Sequence, residues 1–264
     1  MKKLVMLAAL AGTACTRSND SLTLSARVGA ANGQKLSTAS GGAQVANGID
    51  VTRVRVVIRH LRLEREDDKT DTKIAEGPLL LDVSGTNLGG ALVELVTNNV
   101  PAGTYDKLKL DIHVIDAAPA SQSGFKDLVD RAVSVLIEGK LDKQLSANCT
   151  PDTQDPTQCS FTFGSALEAE LEQEGRFQLG GPANNITLNI DASKWFQAAD
   201  GSVLIPLDPG AQSAIEANIK ASFSAFEDDN EDGEADDGEH NDGGHDDGEH
   251  PDGGDDGERD AGIP

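Results

Sequence analysis

Between residues 21 and 190 a series of short segments, separated by turn signals, shows the alternation or short apolar runs that strands require. Leu22, Leu24, Ala26 and Val28 share one face of a strand over 21–28. The segment 51–64, VTRVRVVIRHLRLE, carries the strongest signal: Val54, Val56 and Ile58 point one way, and Arg53, Arg55 and Arg59 the other. Leu61 and Leu63 then take over the apolar phase. Side chains of a strand repeat every second residue, so a phase change without a break predicts a β-bulge near Arg59 and His60. Further strands are predicted at 79–83, 91–96, 107–116 (after the turn PAGTY at 101–105), 132–138, 140–145, 160–163, 166–171, 176–179 and 186–190. The stretches 29–50 and 64–77 lack a period and read as loops. A single helix is predicted at about 209–226, with Asp208 as its cap, Pro209 in its first position, and Ile215, Ile219, Phe223 and Phe226 at helical spacing. Many short strands with turns between them predict an all-β fold: an immunoglobulin-like or transthyretin-like antiparallel β-sandwich over 21–226 with one C-terminal helix.

After Phe226 the apolar positions almost vanish. Residues 227–264 hold 18 acids against one base, Arg259, so 17 of the 23 net negative charges belong to this tail. Asp-Gly recurs about every five residues, at 232, 237, 242, 247, 252 and 256. Without apolar burial to offset chain entropy, the expectation is a disordered, solvated acidic tail. The rest of the chain is nearly balanced. No basic stripe exists to meet a phosphate backbone, which excludes nucleic acid as a partner. No run of 18 apolar residues is present, so no membrane-spanning helix is expected.

The chain begins MKKLVMLAALAGTAC. Lys2 and Lys3 precede a short apolar run, Leu4 to Ala11, and three small residues lead to Cys15, which predicts a signal peptide over 1–14. This end resembles a bacterial lipobox, with Gly12 where that motif usually has Leu. The resemblance implies lipidation of Cys15, a tether over 15–20 and anchoring in a membrane. Thr16 stands where sorted Gram-negative lipoproteins kept at the inner membrane carry Asp, which implies the outer membrane. Two further cysteines, Cys149 and Cys159, bracket a polar loop with two prolines. Outside the cytoplasm such a pair reads as a disulfide. A metal site or a catalytic thiol would need ligands or a histidine that this region lacks.

The strand VTRVRVVIRHLRLE, the run GPLLLDVSG (77–85), the segment VPAGTYDKLKLDIHVID and the later NITLNIDASKWF together resemble secreted bacterial lipoproteins carrying the β-sandwich called domain of unknown function 4382. The likeness runs over roughly 21–226. It implies the fold and the export route, and it supplies no catalytic or ligand-binding residue.

Candidate chemistry concentrates in the tail. Asp228, Asn230, Asp232, Gly233 and Glu239 fit the calcium-loop pattern D-x-[DN]-x-[DN]-G-x5-E, in which alternate oxygens wrap a hard cation. Ala235 replaces the usual larger aliphatic, and a tail this acidic matches the pattern cheaply. Loose cation condensation is the competing expectation. His240, His245 and His250 share the five-residue period and could gather on a transition metal. His60 and His113 read as surface or bulge residues. The arginine face of 51–64 could meet lipopolysaccharide phosphates or an acidic polymer, or pair with carboxylates on neighbouring strands. No nucleophile-elbow, metalloprotease or phosphate-loop motif occurs, so the reading is a lipid-anchored envelope protein with a binding or structural role. The rivals are cation handling by the tail, with calcium the implied ion, and hydrolysis of an envelope polymer. Expected partners are the membrane and an envelope polymer or protein.

Overall fold

A computed structural model describes residues 19–30, 34–39, 42–116, 123–181 and 184–236. The protein is an all-β sandwich. Among the described residues it has thirteen strands: β1 (Asn19–Gly29), β2 (Thr38–Ala39), β3 (Gly42–Ala46), β4 (Ile49–Arg65), β5 (Asp71–Ala75), β6 (Leu79–Ser84), β7 (Val93–Pro101), β8 (Gly103–Ile112), β9 (Val135–Asp142), β10 (Gln158–Ser165), β11 (Ala169–Leu179), β12 (Asn185–Asp191) and β13 (Phe223–Glu227). Two short helices interrupt them, α1 (Lys126–Arg131) and α2 (Gln212–Lys220).

The smaller sheet has the order β13-β12-β1-β7. Its strands are antiparallel except β1 and β12, which run parallel with Thr23 beside Asn185 and Val28 beside Ile190. This pair departs from the purely antiparallel sandwich expected. Hydropathy sets which face of a strand is buried but not the direction of its neighbour.

The larger sheet is organised on β4, the 17-residue strand that the alternation picks out. Along one edge β4 pairs first with β9 (Ile49 to Val56) and then with β8 (Ile58 to Arg65). Along the other it pairs with β3, β6 and β5 in turn. The predicted bulge is present. Register slips between Arg59 and Arg62, and His60 adopts φ 50°, a left-handed conformation uncommon for a non-glycine residue. The slip lets Val54, Val56 and Ile58 before it, and Leu61 and Leu63 after it, all enter the same core. That core also takes Leu22 to Val28 of β1, Ile186 to Ile190 of β12, Trp195, Phe196 and the α2 residues Ile215 and Ile219.

Several segments differ from expectation. The stretches read as loops contain β2, β3 and β5, strands too short to show a period, although Ala43, Val45 and Ile74 enter the core. Asp208 acts as the expected cap, accepting from the Gly210 N–H at 2.9 Å, but what it caps is a 3-10 turn over Pro209–Ala211; α2 follows at Gln212 and ends at Lys220. Phe223 and Phe226 belong to β13, which pairs antiparallel with β12. A short apolar run cannot choose between helix and strand by itself, and here the open edge of β12 decides. The described chain also continues beyond Phe226. Asp228 is fully buried, and residues 228–236 fold back onto the smaller sheet. A second, small core lies outside the larger sheet, where Phe125 and Leu128 cover Val57 and Leu136. The disulfide Cys149–Cys159 is formed, with Cα atoms 5.7 Å apart. No helix among the described residues is long and apolar enough to cross a membrane.

Candidate functional site: an acidic loop and a histidine cleft

The first region of interest is the start of the tail. Asp228 Oδ2 accepts from Thr187 Oγ1 at 2.7 Å and from the Gly233 N–H at 3.1 Å, and its Oδ1 accepts from the Asp232 N–H at 3.0 Å. Asn230 Oδ1 also accepts from the Asp232 N–H, and Asp232 Oδ1 accepts from the Glu234 N–H at 2.8 Å. Asp236, two positions further on, accepts from the Asp229 N–H at 2.6 Å. The loop therefore curls its side-chain oxygens onto its own backbone. Arg27 of β1 lies beneath it with 1 % exposure. The arginine donates to the carbonyls of Gly233 and, at 3.0 Å, of Gln34. Burial pulls its pKa down, and the charges of Asp228, Glu234 and Asp232 push it back up.

Glycine makes this cradle possible. A Cβ on Gly90 or Gly233, both at positive φ, would stand 2.4 Å and 2.6 Å from guanidinium nitrogens of Arg27. Alternation along β1 would place Arg27 in solvent. Instead, the face it shares with Ser25, Thr187 and Asn189 is covered, and all four residues are buried.

Of the residues the calcium pattern proposes, the structure brings Asp228, Asn230 and Asp232 together. Glu239, His240, His245 and His250 lie outside the described residues, as do Cys15 and the signal peptide. Among the described residues, no three His, Cys, Asp or Glu side chains form a group that could hold a metal ion.

The second region is built by the bulge. Arg59 and His60 of β4, Asp111 and Ile112 of β8, His113, and Glu168, Ala169 and Glu170 at the start of β11 line an open cleft of about 360 Å³. Strand register explains their convergence: Arg59 stands opposite Asp111, which in turn stands opposite Glu170. His60, displaced by the bulge, places Nδ1 2.5 Å from Asp111 Oδ2. His113 Nδ1 lies 3.2 Å from Glu168 Oε1. Two polar atoms here are buried without a hydrogen bond, Arg59 Nε and Asp111 Oδ1; the nearest cation to the latter is Arg62, at 3.8 Å.

The other arginines of the β4 face are paired. Arg53 forms a fork with Asp82 at 2.8 and 2.6 Å. Arg55, 2 % exposed under α1, meets Asp127 at 2.8 Å and Glu138 at 3.4 Å. Its hydrogen bond to Asp127 holds that carboxyl below the ordinary range. Carboxylate pairing thus accounts for Arg53 and Arg55, and Arg59 is the exception. Sequence reasoning located the bulge but not the cleft. The available signals were the phase flip itself and the change along β8 from Lys107 and Lys109 to Asp111 and His113.

No protein-family profile matches this chain, and no curated protein is similar to it in sequence. Among solved structures, MbnP from Methylosinus trichosporium is similar at 14% identity and a TM-score of 0.41, over 80% of this chain and 98% of that one. A likeness at this level carries no inference about function. What defines the chain is its own architecture: an all-β sandwich, stapled by one disulfide, with a polar cleft at the bulge of its longest strand.

Proposed function

We propose that this chain is an exported, lipid-anchored β-sandwich of the cell envelope, of the kind its sequence resembles, and that it works by binding. The observation that carries the reading is the Cys149–Cys159 disulfide. It suits an extracytoplasmic compartment, and it leaves Cys15 as the cysteine available to a lipid. The anchor would sit close to the domain. Cys15 precedes Asn19 by four residues, at most about 14 Å of extended chain. Asn19 pairs with Pro101, at the end of the sandwich where β8 begins. Asp111 lies eight residues further along β8, roughly 27 Å at the usual strand rise, so the cleft would face away from the membrane. Metabolic labelling with palmitate, followed by fractionation, tests the reading. Label and membrane association should both disappear in Cys15→Ser; label that survives the substitution, or wild-type chain that takes none, overturns it.

A second reading, calcium binding at the Asp228 loop, is favoured by one observation. The oxygens of Asp228, Asn230 and Asp232 already curl onto the backbone N–H groups of residues 232–234, the turn that such a loop needs, with Gly233 at φ 83°. Arg27 beneath the loop would keep the affinity low. Calorimetry with calcium should show a binding heat in the full chain that Asp232→Asn removes. Identical traces for the two chains would end this reading.

A further inference from the structure

Two asparagines of the chain are followed by glycine, Asn32 and Asn47, and only the second lies among the described residues. Asn47 and Gly48 make up the whole turn that joins β3 to β4, with Ala46 paired to Ile49 across it. Asn47 is exposed, and its carboxamide makes no hydrogen bond among the described residues. Other asparagines are held in place. Asn184 donates to the Ser21 carbonyl, Asn98 to that of Ile74, and Asn218 to those of Lys194, Trp195 and Gln197. A glycine nitrogen has no Cβ beside it, so it can approach the side-chain carbonyl of the preceding residue. The turn cannot do without that glycine. Gly48 has φ 76°, and a Cβ there would stand 2.9 Å from both Asp142 Oδ2 and Leu145 Cδ1.

We propose that Asn47 is a site of self-modification, at which the folded chain converts this asparagine to a mixture of aspartate and isoaspartate. The Gly48 nitrogen bonds to Cγ of Asn47. The Cγ–Nδ2 bond breaks, and ammonia leaves with the proton that the Gly48 nitrogen gives up. Water then opens the five-membered ring. Opening at Cγ gives aspartate, whereas opening at the main-chain carbonyl carbon gives isoaspartate, whose backbone runs through Cβ and lengthens the turn by one atom. Either product adds a negative charge to a turn that packs against Asp142, whose N–H donates to the Gly48 carbonyl at 2.9 Å. Burial first, and the charge of Asp142 second, already push the Asp50 carboxyl above its ordinary pKa. The new charge and the longer turn both work against the β3–β4 pairing, which carries Ala43 and Val45 into the core. The proposal depends on neither the anchor nor the binding role.

Peptide mass spectrometry on the full folded chain, aged at neutral pH, tests it. The peptide containing Asn47 should gain mass with time, as an amino group is exchanged for a hydroxyl, and should split into aspartyl and isoaspartyl forms of equal mass. Asn99 and Asn148 are exposed but precede Val100 and Cys149, and serve as controls in the same digest. They should lag by about tenfold or more. Isomerisation at the Asp-Gly steps of the tail leaves the mass unchanged and does not interfere. The product modified at Asn47, separated by its extra charge on an ion exchanger, should melt below the unmodified chain. The proposal is overturned if the Asn47 peptide gains mass no faster than the controls, if it does so only in urea, or if the separated product melts with the unmodified chain.

Discussion

The acidic loop at 228–236 and the cleft at the β4 bulge are both dense in charge, and they dispose of it in opposite ways. In the loop the fully buried Asp228 accepts from Thr187 and from two backbone N–H groups, and a buried arginine lies beneath it. In the cleft facing residues each keep an unpaired buried atom. The loop is closed on itself and contributes to the fold; the cleft is open. Density of charge therefore does not mark a binding site.

The contrast can be broken most forcefully at Asp228. Asp228→Ala strands Thr187, two N–H groups and a buried guanidinium, and should cost about 3 kcal/mol or more in urea unfolding. A loss under about 0.5 kcal/mol would mean that the loop is not part of the folded domain. Arg27→Lys comes next, at about 2 kcal/mol, because one ammonium cannot reproduce the guanidinium's reach to both the Gly233 and Gln34 carbonyls.

Arg55 lies between the two extremes: it is buried like Arg27, but its partner Asp127 is largely exposed. The Asp127 carboxyl is held below its ordinary pKa by that hydrogen bond, so its contribution is present above the unfolded value near 4 and fades as pH falls through the folded value. Solvent screening limits it to on the order of 0.5 kcal/mol. Asp127→Asn should lower stability at pH 7 by that amount and leave it unchanged near pH 2; an equal loss at both values would exclude the ion pair as the cause. The smallest effect belongs to Arg59→Lys. It should leave the melting temperature within about 2 °C of wild type, because the cleft contributes little to the fold. A large drop would make Arg59 a structural residue like Arg27.

Much of the fold was legible because period-two hydropathy is a local signal. It located β1, β4, β8 and β12, and the phase flip in VTRVRVVIRHLRLE located the bulge at His60. Where few apolar residues were at stake it failed, as in β2, β3 and β5, and where a partner decided the outcome, as with Phe223 and Phe226. The disulfide could be read because composition and loop length left the two cysteines little alternative. Arg27 could not, since alternation places it outside, and it is covered by segments distant in sequence, the Gly90 turn and residues 228–236, together with the Gln34 loop. The cleft was illegible for a related reason. Arg59 and Asp111 are 52 positions apart, and nothing in either segment states that they stand opposite one another.

The parallel pairing of β1 with β12 has a consequence for the order in which the chain completes itself. Thr23 takes Asn185 as its neighbour, and β12 in turn takes β13. A chain emerging from its N-terminus thus makes its first strand early and must hold it only partly paired until about 160 further residues have appeared. Pairing across such sequence separations is slow to form. The first residues of β1, Asn19 to Leu22, are held by β7 alone, whereas Thr23 to Gly29 wait for β12 as well. The smaller sheet is therefore complete only when nearly the whole domain has been made.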